Sequence, residues 1–156
     1  SQAGEWASYH VTTRVVDQKF YLTSSKEKYR ILDALDFRRR LGDCDVYGFV
    51  VMDNHLHSVL GISPEQTLSQ VVKKIKSWTS RTNQSKPEGT TLWERRFDDN
   101  RIDSIPELRK VIEYIHKNPV RAGIVNSPEE YPWSNIHNYL RNGKEVIQID
   151  SDWWVY

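Results

Sequence analysis

The chain has 156 residues, 38% of them hydrophobic and 28% charged, and a formal net charge of +1. This balance suits one soluble domain over residues 1–156, long enough for a core and too short for two domains. No apolar run approaches the ~20 residues of a membrane span, and the lone Cys44 excludes an internal disulfide and favours a reducing compartment. The sequence opens on Ser1 with no signal-peptide pattern, so a processed or recombinant start is expected.

Tyr9 to Val16 is rich in aromatic and β-branched residues and reads as a strand. Tyr9, Val11, Thr13 and Val15 take one face; His10, Thr12 and Arg14 take the other. Ser24 followed by Glu27 is a capping box that opens a helix to about Leu41, with Tyr29, Leu32 and Leu35 as its apolar stripe and Gly42 as its stop. Asp45 to Met52 is a second strand, preceded by Cys44 as a small core residue. Asp53-Asn54 supplies the turn of a tight hairpin, and His55 to Ile62 returns as the third strand. Within it, residues i and i+2 point the same way, so His55 and His57 leave one face while Leu56 and Leu60 enter the core. The two imidazoles start roughly 6–7 Å apart at the backbone, close enough to share a metal ion. An isolated His-x-His equally describes two solvated residues on an open sheet face.

Ser63-Pro64-Glu65-Gln66 predicts the start of a second helix reaching Arg81, with Leu68, Val71, Val72, Ile75 and Trp78 facing the core. The polar stretch Thr82 to Thr90 is a loop, and Leu92 to Phe97 resumes a strand pattern. Strand, helix, strand, strand, helix, strand is the ferredoxin-like split βαβ order. An α+β fold follows: an antiparallel sheet with both helices on one face, its other face open except where a C-terminal helix bearing Tyr114 is expected to lie. In that order the first and third strands are neighbours, which would bring His10, Thr12 and Arg14 beside the histidine pair.

Ser104 and Glu107 open a third helix to about Lys117, which Pro119 is expected to end. Ile105, Leu108, Val111, Ile112 and Ile115 are its buried stripe, while Tyr114 and Asn118, four residues apart, share one flank. Two imidazoles and an amide oxygen can hold a hard divalent cation, and a cation-polarised phosphodiester is open to attack by a tyrosine hydroxyl. Lys110 and Lys117, on the same helix, either assist that hydroxyl or contact phosphates. From Ser69 to Arg121, 12 Lys/Arg face 7 Asp/Glu, whereas the last 35 residues carry 2 against 5. A basic middle of this kind suits a polyanionic partner or a solvated helix face.

Asp53-Asn54-His55-Leu56-His57 resembles the "NHxH" core of the HUH single-tyrosine transposases. Glu113 to Gly123, containing Tyr114-Ile115-His116-Lys117-Asn118-Pro119-Val120-Arg121-Ala122-Gly123, resembles the "YIHxNPVRAG" signature of their REP-associated branch. Tyr131-Pro132-Trp133-Ser134 is similar to the "YPWSS" element that follows, with Asn135 in place of the last serine, and the likeness spans roughly Tyr9 to Tyr139. The resemblance implies a DNA strand transferase that cuts single-stranded DNA beside short palindromic (REP-like) hairpins. Cleavage would leave a 5′-phosphotyrosine and a free 3′-hydroxyl.

Carried over by position, Tyr114 is the nucleophile, His55 and His57 are metal ligands, and Asn118 is the third. Mg²⁺ or Mn²⁺ suits that donor set. Arg14, Arg95, Arg96, Lys110, Lys117 and Arg121 are the candidate DNA contacts, since cationic side chains suit phosphates and guanidinium groups also suit guanine edges. The Asn135 change would affect only a local cap. Trp93 belongs to the core or stacks on a base. The acidic tail, about residues 141–156, either docks its tryptophans on a core of about residues 8–140 or lies across the basic surface. A bacterial, cytoplasmic, nucleoid-associated protein with no membrane partner is implied, acting as monomer or homodimer. The rival readings are an HUH replication initiator or relaxase, and a non-catalytic nucleic-acid module using Tyr47 and Phe49 on an open sheet as a stacking platform.

Overall fold

A computed structural model describes residues 5–155, the side chains of residues 154 and 155 excepted, so Trp154 and Tyr156 of the tail lie outside what is described. Its sheet comprises β1 (Ala7–Arg14), β2 (Cys44–Val51), β3 (His55–Ile62) and β4 (Asp98–Ile102), all antiparallel, in the order β2-β3-β1-β4. Helices α1 (Ser25–Arg40) and α2 (Leu68–Thr82) cover one face, burying Ile31, Leu32 and Leu35 of α1 and Val71, Val72 and Ile75 of α2 against Val11, Phe49, Leu56 and Leu60. Cys44 opens β2 as a buried residue, its thiol pushed up to about 12, chiefly by burial. Among the described residues no helix is long and apolar enough to cross a membrane.

The second face is covered over β2 and β3. Helix α3 (Ile105–His116) sets Leu108, Ile112 and Ile115 against Val50, Met52 and Val59 of the sheet. A 12-residue helix is marginal alone, but three fully buried aliphatic side chains contribute roughly 1.5–3 kcal/mol each and fix it there. The sheet is therefore no open platform: Phe49 is fully buried beneath α1 and α2, and Tyr47 is half-buried against the α3 cluster.

Local expectations differ in five places. Helix α2 is capped by Thr67 in a reciprocal box with Gln70, while Ser63 to Gln66 forms a turn, because the Thr67 box lies next to the apolar run. At Ser24 the hydroxyl does accept from the Glu27 N–H, but the Glu27 carboxylate turns away to Arg30 and the Gln84 N–H. Tyr29 and Trp78 are exposed, and Ile31 and Thr79 take their places in the core. Leu92 to Phe97 contributes only a bridge from Trp93 to Val15; the fourth strand is the charged Asp98–Ile102, an edge strand that pairs through its backbone and buries only Ile102. Pro119 does not stop the chain's helical path: α3 gives way at Lys117 to a further turn, α4 (Asn118–Arg121), with the proline in its first turn.

Two buried polar centres tie these layers together. At the first, Lys28 of α1, its side chain 4% exposed, donates through Nζ to the Leu22 and Thr23 carbonyls and to Asp53 Oδ1, at 2.6, 3.1 and 2.6 Å. It thereby staples the β2–β3 turn to the segment entering α1. The second is Asn135, wholly buried, whose Oδ1 accepts from the Phe49 N–H and His116 Nε2–H at 2.9 Å each while Nδ2 donates to the Tyr47 carbonyl. Around it Trp133 accepts from the Val51 N–H, and the Tyr131 hydroxyl donates to the Val51 carbonyl. The segment Tyr131 to Asn135 thus runs along the outer edge of β2, and the departure at Asn135 is a junction of strand and helix, not a local cap. The tail docks on the same edge through Asp150, which exchanges hydrogen bonds with Val46 and pairs with Arg39 at 3.0 Å. Trp153 is buried beside Tyr139, the first of the two outcomes considered for the tail.

Replacing Lys28 with Met should leave two carbonyls and a carboxylate without their donor, and we expect a loss of about 3 kcal/mol in urea unfolding. Asn135→Ala should leave two buried donors unpaired and cost about 2–4 kcal/mol, with Asn135→Ser recovering part of it. Burial first of all holds the His116 imidazole down to about 4, below the ordinary 6.5. A base whose folded pKa is lowered gives full stability above pH 6.5 and loses it as pH falls towards 4. Its share is up to about 1.4 kcal/mol per pH unit in that window. Unfolding at pH 7.5 and 5.5 should show this decline, and His116→Gln should make it shallower, with His10, His55 and His57, likewise lowered by burial, keeping the rest.

Candidate active site

The geometry starts from the register of β1 on β3, in which Thr12 opposes His57 and Arg14 opposes His55. Strand alternation sends His55 and His57 to the α3 side of the sheet, with ring centroids 5.0 Å apart and planes at 86°. His10 joins them from β1: its Nε2 lies 3.0 Å from His57 Nδ1, and Thr12 Oγ1 lies 3.3 Å from the same atom. From the other side comes the end of α3. The Tyr114 ring stands 6.4 Å from the rings of both His10 and His57, and Asn118 Oδ1 lies 3.3 Å from His55 Nε2. Thr12, His55, His57 and Tyr114, with Arg14, Gln18 and Asn54, line a cleft of about 340 Å³.

Burial is the first cause of the imidazoles' low basicity. It lowers His10 and His55, and it holds His57 near 3 with help from the charges of His55, His10, Arg121 and Arg14. All three are therefore neutral near pH 7, each with one N–H and one lone pair. Both nitrogens of His55 face oxygens: Nδ1 lies 2.7 Å from Asn54 Oδ1 and Nε2 faces Asn118 Oδ1. A neutral imidazole has a single N–H for these two contacts, and its other ring nitrogen keeps a lone pair of the kind that ligates a cation. Among the described residues no three His, Cys, Asp or Glu side chains are grouped as metal ligands. The donor chemistry of His55, His57 and Asn118, two imidazoles and an amide oxygen, fits a divalent cation.

The candidate cations divide. Arg121 stacks its guanidinium 4.0 Å from the centre of the Tyr114 ring and donates to the Tyr114 carbonyl at 2.7 Å. Arg14 lines the cleft and pairs with Asp98 at 2.6 Å. Arg95 and Arg96 are exposed on the segment before β4, which Lys76 holds by donating to the Glu94 and Arg95 carbonyls. Lys110 and Lys117 are exposed, and the cation stacked on the tyrosine ring is Arg121. Trp93 is core, its Nε1–H donating to Thr79 Oγ1 at 2.8 Å. Tyr131 is buried, its hydroxyl engaged by the backbone, and lies outside the cleft. Gln18 and Lys28 carry no local sequence signal for these places; only the folded chain brings them to the turn before the histidines.

This geometry has parallels among known proteins. A solved structure of a REP-associated tyrosine transposase bound to a REP hairpin superposes with a TM-score of 0.74 over 96% of this chain and 87% of that one. At 19% identity that likeness is one of fold. A REP-associated tyrosine transposase of Escherichia coli is 24% identical over 109 residues, 69% of this chain. A Haemophilus influenzae protein provisionally given the same name is 25% identical over 117 residues, 63% of this chain. The matches span 64% and 65% of those two relatives' own lengths. The model of the IS200-like transposases matches residues 5–118, which include the histidine pair, Tyr114 and Asn118, and the chain belongs to that family.

Proposed function

We propose that this protein is a metal-dependent endonuclease and strand transferase of the REP-associated branch, cutting single-stranded DNA beside a palindromic hairpin. The observation that carries the reading is the meeting of Tyr114 and Asn118, one helical turn apart, with His55 and His57 across the sheet. His55, His57 and Asn118 would hold Mg²⁺ or Mn²⁺, which when bound supplies charge to polarise the scissile phosphodiester. Tyr114 is the nucleophile. Its oxygen bonds to phosphorus, the bond from phosphorus to the 3′-oxygen breaks, and that oxygen leaves as a 3′-hydroxyl after taking up a proton. The product is a 5′-phosphotyrosine, and attack by a 3′-hydroxyl on that linkage transfers the strand.

Arg121 holds the tyrosine through ring and carbonyl, which supports a fixed nucleophile at the end of the helix. All these groups come from one chain, which supports action without a tyrosine lent by a second copy. The hairpin in the fold neighbour supports a hairpin partner here, with Arg14, Arg95, Arg96, Lys110, Lys117 and Arg121 offered to its backbone. Family membership speaks against a replication initiator or relaxase, and the covered sheet speaks against a stacking platform.

Tyr114→Phe should bind a labelled hairpin substrate within about twofold of wild type and form no covalent adduct on a denaturing gel. His55→Ala and His57→Ala should abolish cleavage, and Asn118→Ala should raise the Mn²⁺ midpoint by about 10–100-fold. Adduct formed by Tyr114→Phe, or full activity of wild type in chelator, would overturn the reading.

A further inference from the structure

Between β1 and α1 the chain makes a short detour beside the cleft. It leaves the sheet through a single 3₁₀ turn, Val16–Gln18, and re-enters the core at the fully buried Leu22. Both ends are pinned to the turn that carries the histidines: the Val15 N–H donates to the Asn54 carbonyl at 2.9 Å and the Leu22 N–H to the Asp53 carbonyl at 3.0 Å. Between the pins, two successive residues other than glycine take left-handed backbone, Asp17 at φ 52° and Gln18 at φ 56°. Such positions are disfavoured for L-residues and persist where the surroundings hold them.

The strained turn has a consequence for two side chains. It puts Gln18 on the wall of the cleft beside His55, His57 and Tyr114, where among the described residues its carboxamide makes no hydrogen bond. Two residues on, Phe20 is left 66% exposed, the most open of the large hydrophobic side chains in the described chain, with Lys19 beside it also exposed. A carboxamide offers a donor and an acceptor side by side, the complement of a base edge. An exposed ring offers a stacking surface to any unpaired base, and a neighbouring ammonium suits the intervening phosphate.

We infer that the Val16–Phe20 segment is a base-reading wall of the cleft: Gln18 contacts the edge of a nucleobase flanking the scissile phosphate, and Phe20 stacks on the next unpaired base. The role rests on the proposed action on single-stranded DNA and adds a protein contribution to the choice of cleavage site. Lys28 and the paired backbone carbonyls set the wall's distance from the histidines, so reading and chemistry share one rigid turn.

The test measures binding and cleavage separately, on the same set of fluorescent single strands with each base permuted on either side of the cut site. Gln18→Gly suits the left-handed position and removes the side chain together with its carboxamide. It should flatten the base preference at one flanking position by about fivefold or more, chiefly by weakening the preferred strand. Phe20→Ala should weaken all strands by about tenfold, and Phe20→Trp should restore binding. Wild type that cleaves normally, with both variants keeping its base profile and affinity, would overturn the wall and leave the nuclease reading intact. Wild type that binds with a base preference lost in Gln18→Gly, yet forms no adduct, would keep the wall and sink the chemistry. Equal binding of every strand by wild type and both variants would overturn the wall whatever the cleavage result.

Discussion

The pairing of β1 with β3 is the constraint on which the rest depends. A slip of one residue in the β3 strand would turn His55 and His57 into the α1–α2 core and expose Leu56 and Leu60. Buried Leu56, Leu60 and Val11 forbid that slip, each worth roughly 1.5–3 kcal/mol in the observed register. The histidine pair is thus held in place by its apolar neighbours more than by any contact of its own. His10 and Thr12 then follow from the same register, arriving at His57 Nδ1 without any separate device.

The tyrosine reaches the histidines by a longer route. Helix α3 has no strand register to position it, only the shape of the surface on which it lies. Gly48 matters here because a Cβ at that position would stand 2.5 Å from Ile112 Cδ1, so its absence lets the helix approach β2. Asn135 then couples β2 to the helix end through Phe49 and His116, two residues after Tyr114. Distance between Tyr114 and His57 is accordingly set by a buried amide that belongs to neither element.

Much of this was legible in the sequence. Strand alternation in His55-Leu56-His57 and the four-residue step from Tyr114 to Asn118 are local patterns, and the structure brings those side chains together as the patterns imply. The second and third helical readings faltered where sequence offers two competing signals, as at Ser63 against Thr67, or at Pro119, which serves as a first-turn residue as readily as a stop. Strand β4 was hidden because an edge strand needs no apolar alternation. Lys28 and Asn135 were not legible at all: each looks like a surface residue until partners 25 and 86 positions away along the chain surround it. Buried polar junctions of this kind depend on tertiary neighbours, which periodicity does not encode.

The outer edge of β2 has a bearing on how the protein comes into being. Its partners are Tyr131 to Asn135 and then Asp150, whose tie to Arg39 spans 111 residues. During synthesis the histidines, the sheet and even Tyr114 emerge from the ribosome before the segment that fastens α3 to them. Contacts so distant in sequence close late and slowly. Closing these long-range contacts is therefore the step that completes the setting of Tyr114 beside His55 and His57, after α3 has already laid its apolar face on the sheet.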